Sequence, residues 1–261
     1  MSESHPSNAV LTERRGNVLL LRLNRPEARN AVNGAIATGM EAAIDQLESD
    51  DTLVCGVLAA NGPVFCAGAD LKLIASGRGT EMATARGGFA GIARRRRDKP
   101  IVAAVHSDAL AGGFEIALAC DLLVAAQGIK LGLPEVKRSL VALGGALVEL
   151  PRLVGEKLAL ELALTGDAIA VERLERAGLV SRVVAPDQVE NEALALATRI
   201  GENGPLAVRA SYRIVRDGRD LSTDAHWDAS VKLGWPVFAS DDAREGATAF
   251  VEKRKPVWKG R

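Results

Sequence analysis

Two glycine-rich stretches about forty residues apart restrict the folds open to this chain more than any other feature. They read Phe65-Cys66-Ala67-Gly68-Ala69-Asp70 and Ala111-Gly112-Gly113-Phe114-Glu115. Each stretch follows an apolar or β-branched run and precedes a helical pattern, which predicts two tight strand-to-helix turns. Small residues in such turns leave backbone N–H groups open to a ligand. Taken singly, either stretch is also compatible with a plain structural connection.

Strand and helix patterns alternate early in the chain, and helices dominate from residue 143 onward. Strands are predicted at 9–13, 17–23, 53–59, 100–105, 121–125 and 179–184. Helices are predicted at 34–49, from the Gly/Ser/Thr segment 76–80 to about 97, and at 112–119, 143–149, 155–164, 170–177, 186–201, 204–216, 221–233 and 240–252. This order predicts an α/β core with a helical C-terminal region.

Composition excludes several classes of function. The 33 basic and 33 acidic side chains create no net field that favours nucleic acid or membrane. The longest apolar stretch, Ile116–Ala126, is too short to cross a bilayer. Residues 1–8 lack the pattern of a secretory signal, so we expect a cytoplasmic protein. Without a CxxC motif, Cys55, Cys66 and Cys120 are predicted to be buried free thiols.

The two turns have the chemistry of an oxyanion hole. A helix N-terminus presents unpaired N–H groups and a dipole that favours negative charge, and Gly112 and Gly113 stand at such a point. In the first stretch, Ala67 followed by Gly68 permits a similar exposed amide. Two donors of this kind would stabilise charge that develops on a carbonyl oxygen. A nucleotide-phosphate site is not supported, because the chain contains no GxxxxGK[ST] motif.

Two glutamates are candidates for acid–base catalysis. Glu115 lies one helical turn after Gly112, and Glu135 follows Leu133-Pro134 in a turn after a short strand. Taken alone, either one is also compatible with a surface carboxylate or a helix N-cap. If both face one pocket, repulsion and desolvation raise at least one pKa, and one carboxyl acts as acid while the other acts as base.

Other catalytic arrangements are not supported. His5 lies in the polar N-terminal segment, His226 lies in a late helix, and His106 follows a predicted strand, where a structural role is expected. The sequence contains neither GxSxG nor HExxH, so we expect neither serine hydrolysis nor a metal site.

At this point the chain resembles the crotonase superfamily, also called the enoyl-CoA hydratase/isomerase family. The similarity extends from about residue 9 to 256. The matching segments are Leu23-Asn24-Arg25-Pro26-Glu27-Ala28-Arg29-Asn30-Ala31, Phe65 to Lys72, Ala109 to Glu115 with Cys120-Asp121, Leu133-Pro134-Glu135, Ala177-Gly178-Leu179-Val180, and Glu245-Gly246 to Lys255-Pro256.

The resemblance implies a repeated ββα spiral core over residues 1–200 and a helical oligomerisation region over 201–261. It implies that Ala67 and Gly112 hold a thioester oxygen. It also implies that Glu115 deprotonates a water that attacks the β-carbon and that Glu135 protonates the α-carbon. The expected activity is that of an enoyl-CoA hydratase in fatty acid or related acyl-CoA metabolism.

The resemblance further implies an acyl-CoA substrate, no separate cofactor, and a homotrimer or dimer of trimers. The implied CoA or substrate contacts are Arg25, Ala28, Ala67, Gly68, Ala69, Asp70, Lys72 and Leu143, with Phe250 and Lys253 reaching the CoA of a neighbouring subunit. The proline that the family usually has in the segment after Glu135 is missing here. In the same segment, Leu143 replaces a small or polar residue.

Three alternatives remain open at this stage. An enoyl-CoA isomerase would shuttle one proton between carbons, and a carnitinyl-CoA dehydratase-like enzyme would use the same mechanism on another substrate. A non-catalytic CoA- or RNA-binding relative would use the run Arg94-Arg95-Arg96-Arg97. For that run we expect instead cations placed at a helix end, where they suit the dipole.

Overall fold

Uninterrupted apolar runs in the sequence form the central strands of the fold. The computed structural model describes residues 8–261. Its strands are, in chain order, β1 Val10–Arg15, β2 Val18–Leu23, β3 Cys55–Ala60, β4 Ala83–Thr84, β5 Gly88–Phe89, β6 Ile101–Val105, β7 Ala109–Leu110, β8 Leu122–Ala126, β9 Lys130–Gly132, β10 Ile169–Ala170 and β11 Arg182–Val184.

Six strands form the main sheet, in the order β1-β2-β3-β6-β8-β11. The pair β1 and β2 is antiparallel, and every other neighbouring pair is parallel. Every residue of β3 and β6 is buried. Burial of both faces explains why these strands read as continuous apolar runs without a polar alternation.

Helices cover the sheet and form the C-terminal region. They are α1 Gly34–Ser49, α2 Leu71–Ala75, α3 Gly112–Ala119, α4 Ala146–Val154, α5 Glu156–Thr165, α6 Val171–Arg176, α7 Val189–Gly201, α8 Pro205–Asp217, α9 Thr223–Phe238 and α10 Asp241–Val251. Both α1 and α7 pack against the main sheet. The predicted α/β class with a helical C-terminal region is confirmed. The predicted division after residue 200 falls at the end of α7 and stays a prediction.

A second, three-stranded sheet has the order β10-β9-β7. Its strand β7 leads directly into the second glycine-rich turn, and β9 leads into the 3₁₀ turn Pro134–Arg138. Because β7 and β9 are parallel neighbours, the chain leaves both strands at the same edge. This small sheet therefore brings the segments of the two candidate glutamates together.

The helix that we predicted from the 76–80 segment to about 97 is wrong. The backbone there forms the 3₁₀ turn Gly79–Met82, the short pair β4 and β5, and further turns. Gly88 and Gly91 have φ of 65° and 71°. A Cβ on Gly91 would lie 2.1 Å from the carbonyl oxygen of Ala37 in α1, so close packing against that helix fixes an irregular backbone.

The three cysteines are free and buried, as predicted. Burial raises the pKa of the Cys66 and Cys120 thiols to about 12. Of the helices within residues 8–261, none combines the length and the apolar character that crossing a membrane requires.

Candidate active site

The two glycine-rich turns meet in the structure. A Cβ built on Gly68 would lie 2.9 Å from the backbone nitrogen of Gly112. A Cβ on Gly113 would lie 2.1 Å from the carbonyl oxygen of Cys66. The lack of side chains at these positions therefore allows the two backbones to touch, which is the close approach that glycine permits.

The amide predicted at Ala67 is not free, and this corrects our assignment. The N–H of Ala67 donates to the carbonyl of Arg29 at 3.0 Å. Two residues further on, the N–H of Ala69 has no acceptor within residues 8–261, although its neighbour Asp70 donates to Val32. The open amide of the first turn is therefore that of Ala69.

The second amide belongs to the first residue of α3. The Gly112 N–H has no acceptor within the described part of the chain, whereas the N–H groups of Phe114 and Glu115 both donate to the Ala111 carbonyl. Ala111 itself has φ 52° and ψ −132°, a conformation that L residues rarely adopt. Strain of this kind concentrates at functional sites, and here it aligns the start of α3.

Glu115 is a buried carboxyl on α3, with 4% of its surface exposed. The N–H of Ala146 donates to its Oε1 at 3.3 Å. Burial raises the pKa of Glu115 to about 7; the Ala146 hydrogen bond opposes this shift, and the nearby charge of Glu135 adds to it. Near neutral pH this carboxyl therefore exists in both protonation states.

Glu135 is half-buried at the start of the 3₁₀ turn Pro134–Arg138. Burial raises its pKa also. Its Oε2 is buried and has no hydrogen-bond partner within residues 8–261. Because its charge acts on Glu115, the two glutamates form one electrostatically coupled pair, and such a pair titrates as a unit.

Phe89 is a site residue that the sequence did not reveal. A Cβ on Gly112 would lie 2.6 Å from its Cζ, and a Cβ on Gly144 would lie 2.9 Å from its Cδ1. The ring therefore fills the space between the second turn and the segment before α4. Its position within a wrongly predicted helix hid it, and only the pair Gly87-Gly88 before it hinted at an irregular backbone.

The predicted CoA contacts near the first turn lie together. Arg25 Nη1 is 3.6 Å from Asp70 Oδ2 and donates to the Ala31 carbonyl at 2.6 Å. Ala28 ends the 3₁₀ turn that follows Arg25, and Lys72 is exposed on α2 next to Asp70. A cationic, partly open surface thus borders the Gly68–Asp70 backbone.

The other predicted contacts lie on exposed surfaces. Leu143 is 87% exposed and Phe250 is 85% exposed. Phe250 lies near the end of α10, and Lys253 follows that helix with φ 56°. Their predicted contacts with acyl or CoA groups, including those of a neighbouring subunit, stay predictions.

The four-arginine run is not a uniform cationic face. Arg95 pairs with Asp45 and has 13% of its side chain exposed, whereas the Arg97 side chain is 1% exposed and lies 3.2 Å from Asp121. Only Arg94 and Arg96 of the run are exposed. The run begins in a turn at Arg94 and continues as irregular backbone, so the helix end that we expected there is absent.

The two histidines within residues 8–261 each contact a backbone carbonyl. His106 Nε2 lies 3.0 Å from the Gly62 carbonyl, and His226 Nε2 lies 2.8 Å from the Ile214 carbonyl. His5 falls outside the described residues. Within residues 8–261 no three His, Cys, Asp or Glu side chains are grouped as metal ligands.

Comparisons with known proteins find relatives along the whole described chain. The family described as enoyl-CoA hydratase/isomerase matches residues 13–261. An enoyl-CoA hydratase of Mycobacterium tuberculosis is 39% identical, and a mevalonyl-coenzyme A hydratase of Aspergillus fumigatus is 38% identical; each alignment covers 99% of this chain and 98% of the relative.

Solved structures show the same similarity in three dimensions. A crystal structure of an enoyl-CoA hydratase from M. tuberculosis H37Rv superposes with a TM-score of 0.93 at 46% identity. The superposition covers 97% of this chain and 99% of the other. The predicted crotonase-like fold is therefore confirmed.

Proposed function

This chain belongs to the enoyl-CoA hydratase/isomerase family, and from that premise we propose that it adds water reversibly across the 2,3 double bond of a 2-enoyl-CoA thioester. It is a hydro-lyase in this proposal. The observation that carries it is the coupling of the buried Glu115 to the half-buried Glu135. Their segments leave the same small sheet beside the junction of the two turns.

The N–H groups of Ala69 and Gly112 form the proposed oxyanion hole. When water adds to C3, negative charge moves through C2 onto the thioester oxygen, and preorganised donors stabilise that charge. The close packing of Gly68, the residue before Ala69, against Gly112 supports this arrangement of the two donors. The N–H of Ala67 takes no part, because it is bonded to Arg29.

The two glutamates exchange the protons of the reaction. One carboxylate accepts a proton from water as its oxygen bonds to C3, and the other carboxyl donates a proton to C2. Burial raises both pKa values, which keeps a proton available on the pair near neutral pH. The resemblance assigns the base to Glu115 and the acid to Glu135.

The CoA portion is proposed to lie along the Gly68–Asp70 backbone, beside Arg25, Ala28 and Lys72. CoA is part of the substrate, so no separate cofactor is needed. Phe250 and Lys253 are proposed to contact the CoA of a neighbouring subunit in a homotrimer or dimer of trimers.

Oligomer formation is supported by an exposed apolar stripe on the C-terminal helices. Trp227, Val231 and Trp235 follow one another at four-residue spacing along α9 and are 69%, 60% and 71% exposed. A row of large, exposed apolar side chains is typical of a surface that contacts another protein. We place the enzyme in the cytoplasm and in acyl-CoA breakdown, such as β-oxidation; the three free, buried thiols suit a reducing compartment.

The decisive experiment follows crotonyl-CoA by the absorbance of its conjugated enoyl thioester. Loss of absorbance with formation of 3-hydroxybutyryl-CoA supports hydration. Conversion of a 3-enoyl-CoA to its 2-enoyl isomer without hydroxyacyl product would favour the isomerase, and dehydration of carnitinyl-CoA alone would favour the specialised dehydratase. An RNA gel shift without any turnover would favour the non-catalytic alternative.

A further inference from the structure

A cleft of about 710 Å³ is lined in part by Gly144, the residue that packs against the Glu115 carboxyl. Gly144 and Phe89 form part of its wall. A Cβ on Gly144 would lie 2.5 Å from Glu115 Oε2, so the same residue borders both the carboxyl and the cleft. An acyl chain that extends beyond C3, past Glu115, would therefore enter this cleft.

The lining of the cleft combines two kinds of side chain. Phe89, Leu143 and Val148 supply apolar surface. Six arginines also line the cleft, namely Arg94, Arg95, Arg96, Arg97, Arg213 and Arg216. A short hydrocarbon segment suits the apolar side chains, and an anionic end suits the arginines.

Acidic side chains near the cleft do not balance these arginines. Asp121 forms ion pairs with two of them, at 3.2 Å to Arg97 and 3.1 Å to Arg216. Arg213 shares Asp98 and Asp217 at 3.5 Å each, and Asp217 also lies 3.9 Å from the exposed Arg96. Another lining acid, Glu149, is bound by Arg219, a residue outside the cleft.

Several cleft arginines have hydrogen-bonding capacity left over, including Arg95, whose buried Nε has no partner within residues 8–261. Arg94 is exposed, and within residues 8–261 its guanidinium has neither an acidic partner nor a hydrogen-bond acceptor. Arg97 is buried, and its Nε and Nη1 are likewise without a partner in the described chain. Burial keeps Arg97 behind the wall, so it contributes its positive field through a medium of low dielectric rather than a direct contact.

We propose that the preferred substrate is a 2-enoyl-CoA whose acyl chain ends in a carboxylate, held in this cleft by Arg94 and Arg96. The inference rests on the hydratase function proposed above and names the substrate class of that site. The exposed guanidinium groups would form charge-assisted hydrogen bonds to the carboxylate. The same field disfavours a cationic acyl end, such as the trimethylammonium group of carnitinyl-CoA.

The test compares 5-carboxypent-2-enoyl-CoA with hex-2-enoyl-CoA, which has the same chain length and no terminal charge. The expected ratio of kcat/KM favours the carboxylated substrate by tenfold or more. That ratio should fall about tenfold in the double variant Arg94→Gln/Arg96→Gln and should decrease with added salt. Arg199→Gln removes an exposed charge on α7, away from the cleft, and should leave the ratio unchanged.

Binding measurements separate this inference from the proposed function. The Kd of free CoA should be the same in the double variant and the wild type; a weaker Kd for CoA would assign the arginines to CoA phosphates and overturn the inference. Hydration of hex-2-enoyl-CoA with no preference for the carboxylated substrate would also overturn it while leaving the hydratase function intact. If neither substrate turns over, the hydratase function fails, and calorimetric Kd values for the two acyl-CoAs still decide whether the cleft selects the carboxylate.

Discussion

Gly144 packs against the carboxyl group of Glu115, so closely that a Cβ at position 144 would lie 2.5 Å from Oε2. Real Cβ atoms do not come that close to an oxygen atom, so the Glu115 carboxyl in its present position excludes a side chain at position 144. The segment before α4 thus holds the carboxyl in place from one side, while α3 carries it from the other.

Gly144→Ala should lower kcat for crotonyl-CoA about 100-fold. The added methyl group must displace the Glu115 carboxyl or the Phe89 ring, and a shift of about 1 Å in a catalytic group has an effect of this size. Steady-state kinetics and thermal unfolding measure the effect. In the control, Gly234→Ala, nothing lies within 4 Å of the new Cβ, and the activity should be retained. Equal activity in the two variants would contradict the role given to this contact.

Glu115→Gln and Glu135→Gln should each reduce hydration by about 10²-fold or more, because each removes one proton-transfer group. The double variant should lose much less than the product of the two losses, since the groups act as a unit. Glu156→Gln removes an exposed carboxylate of α5 and serves as the matched control. Near-normal turnover by both single variants would exclude the proposed mechanism.

The raised pKa of Glu115 should make stability depend on pH. Its value changes from 4.5 in an ordinary setting to about 7 in the folded protein, so the folded state binds more protons within that window. The free energy of unfolding should therefore fall as pH rises from 4.5 to about 7, by roughly 3 kcal/mol relative to Glu115→Gln. Urea unfolding of both proteins at several pH values measures the difference. A difference that stays constant across the window would show that burial does not shift this pKa.

Gly68→Ala should weaken the oxyanion hole. Gly68 has φ 85°, and a Cβ there would press on the nitrogen of Gly112 at 2.9 Å, which separates the two turns. We expect kcat to fall about 10²- to 10³-fold, the range for loss of one hole donor. Gly178→Ala imposes a similar backbone strain at φ 83° with no atom within 4 Å. The positive φ should cost both variants about 1–2 kcal/mol of stability, with a further loss in Gly68→Ala from the contact with Gly112. Only Gly68→Ala should lose activity in the crotonyl-CoA assay.

Asp121→Asn should destabilise the fold by about 3 kcal/mol or more, because it leaves the buried Arg97 without a counter-charge. Asp121 also accepts hydrogen bonds from the N–H of Ile101 at 2.8 Å and from the Tyr212 hydroxyl at 3.1 Å. The exposed pair of Arg173 and Glu161 provides a comparison, since Glu161→Gln should cost less than about 1 kcal/mol. Urea unfolding of the two variants is the measurement.

The sequence by itself determined the elements whose signals are local. The bounds predicted for α1 and α3, 34–49 and 112–119, agree with the structure, because apolar periodicity and glycine at a helix start lie within each segment. The buried strands β3, β6 and β8 were predicted within two residues for the same reason. The collinear motifs also determined the family.

Only the tertiary structure decided which groups meet. Ala67 and Ala69 are equally good candidates in the sequence. In the structure, the carbonyl of Arg29, from another segment, accepts the hydrogen bond of the Ala67 N–H, whereas the Ala69 N–H stays open. Phe89 reaches Gly112 and Gly144 from the irregular 79–95 segment, which packs on α1, and Gly144 in turn contacts Glu115. Local sequence patterns indicate the path of one segment. Hydrogen-bond partners and desolvation depend on segments that are distant in the chain. The oxyanion hole, the raised pKa of Glu115 and the arginine-lined cleft therefore appear only after folding.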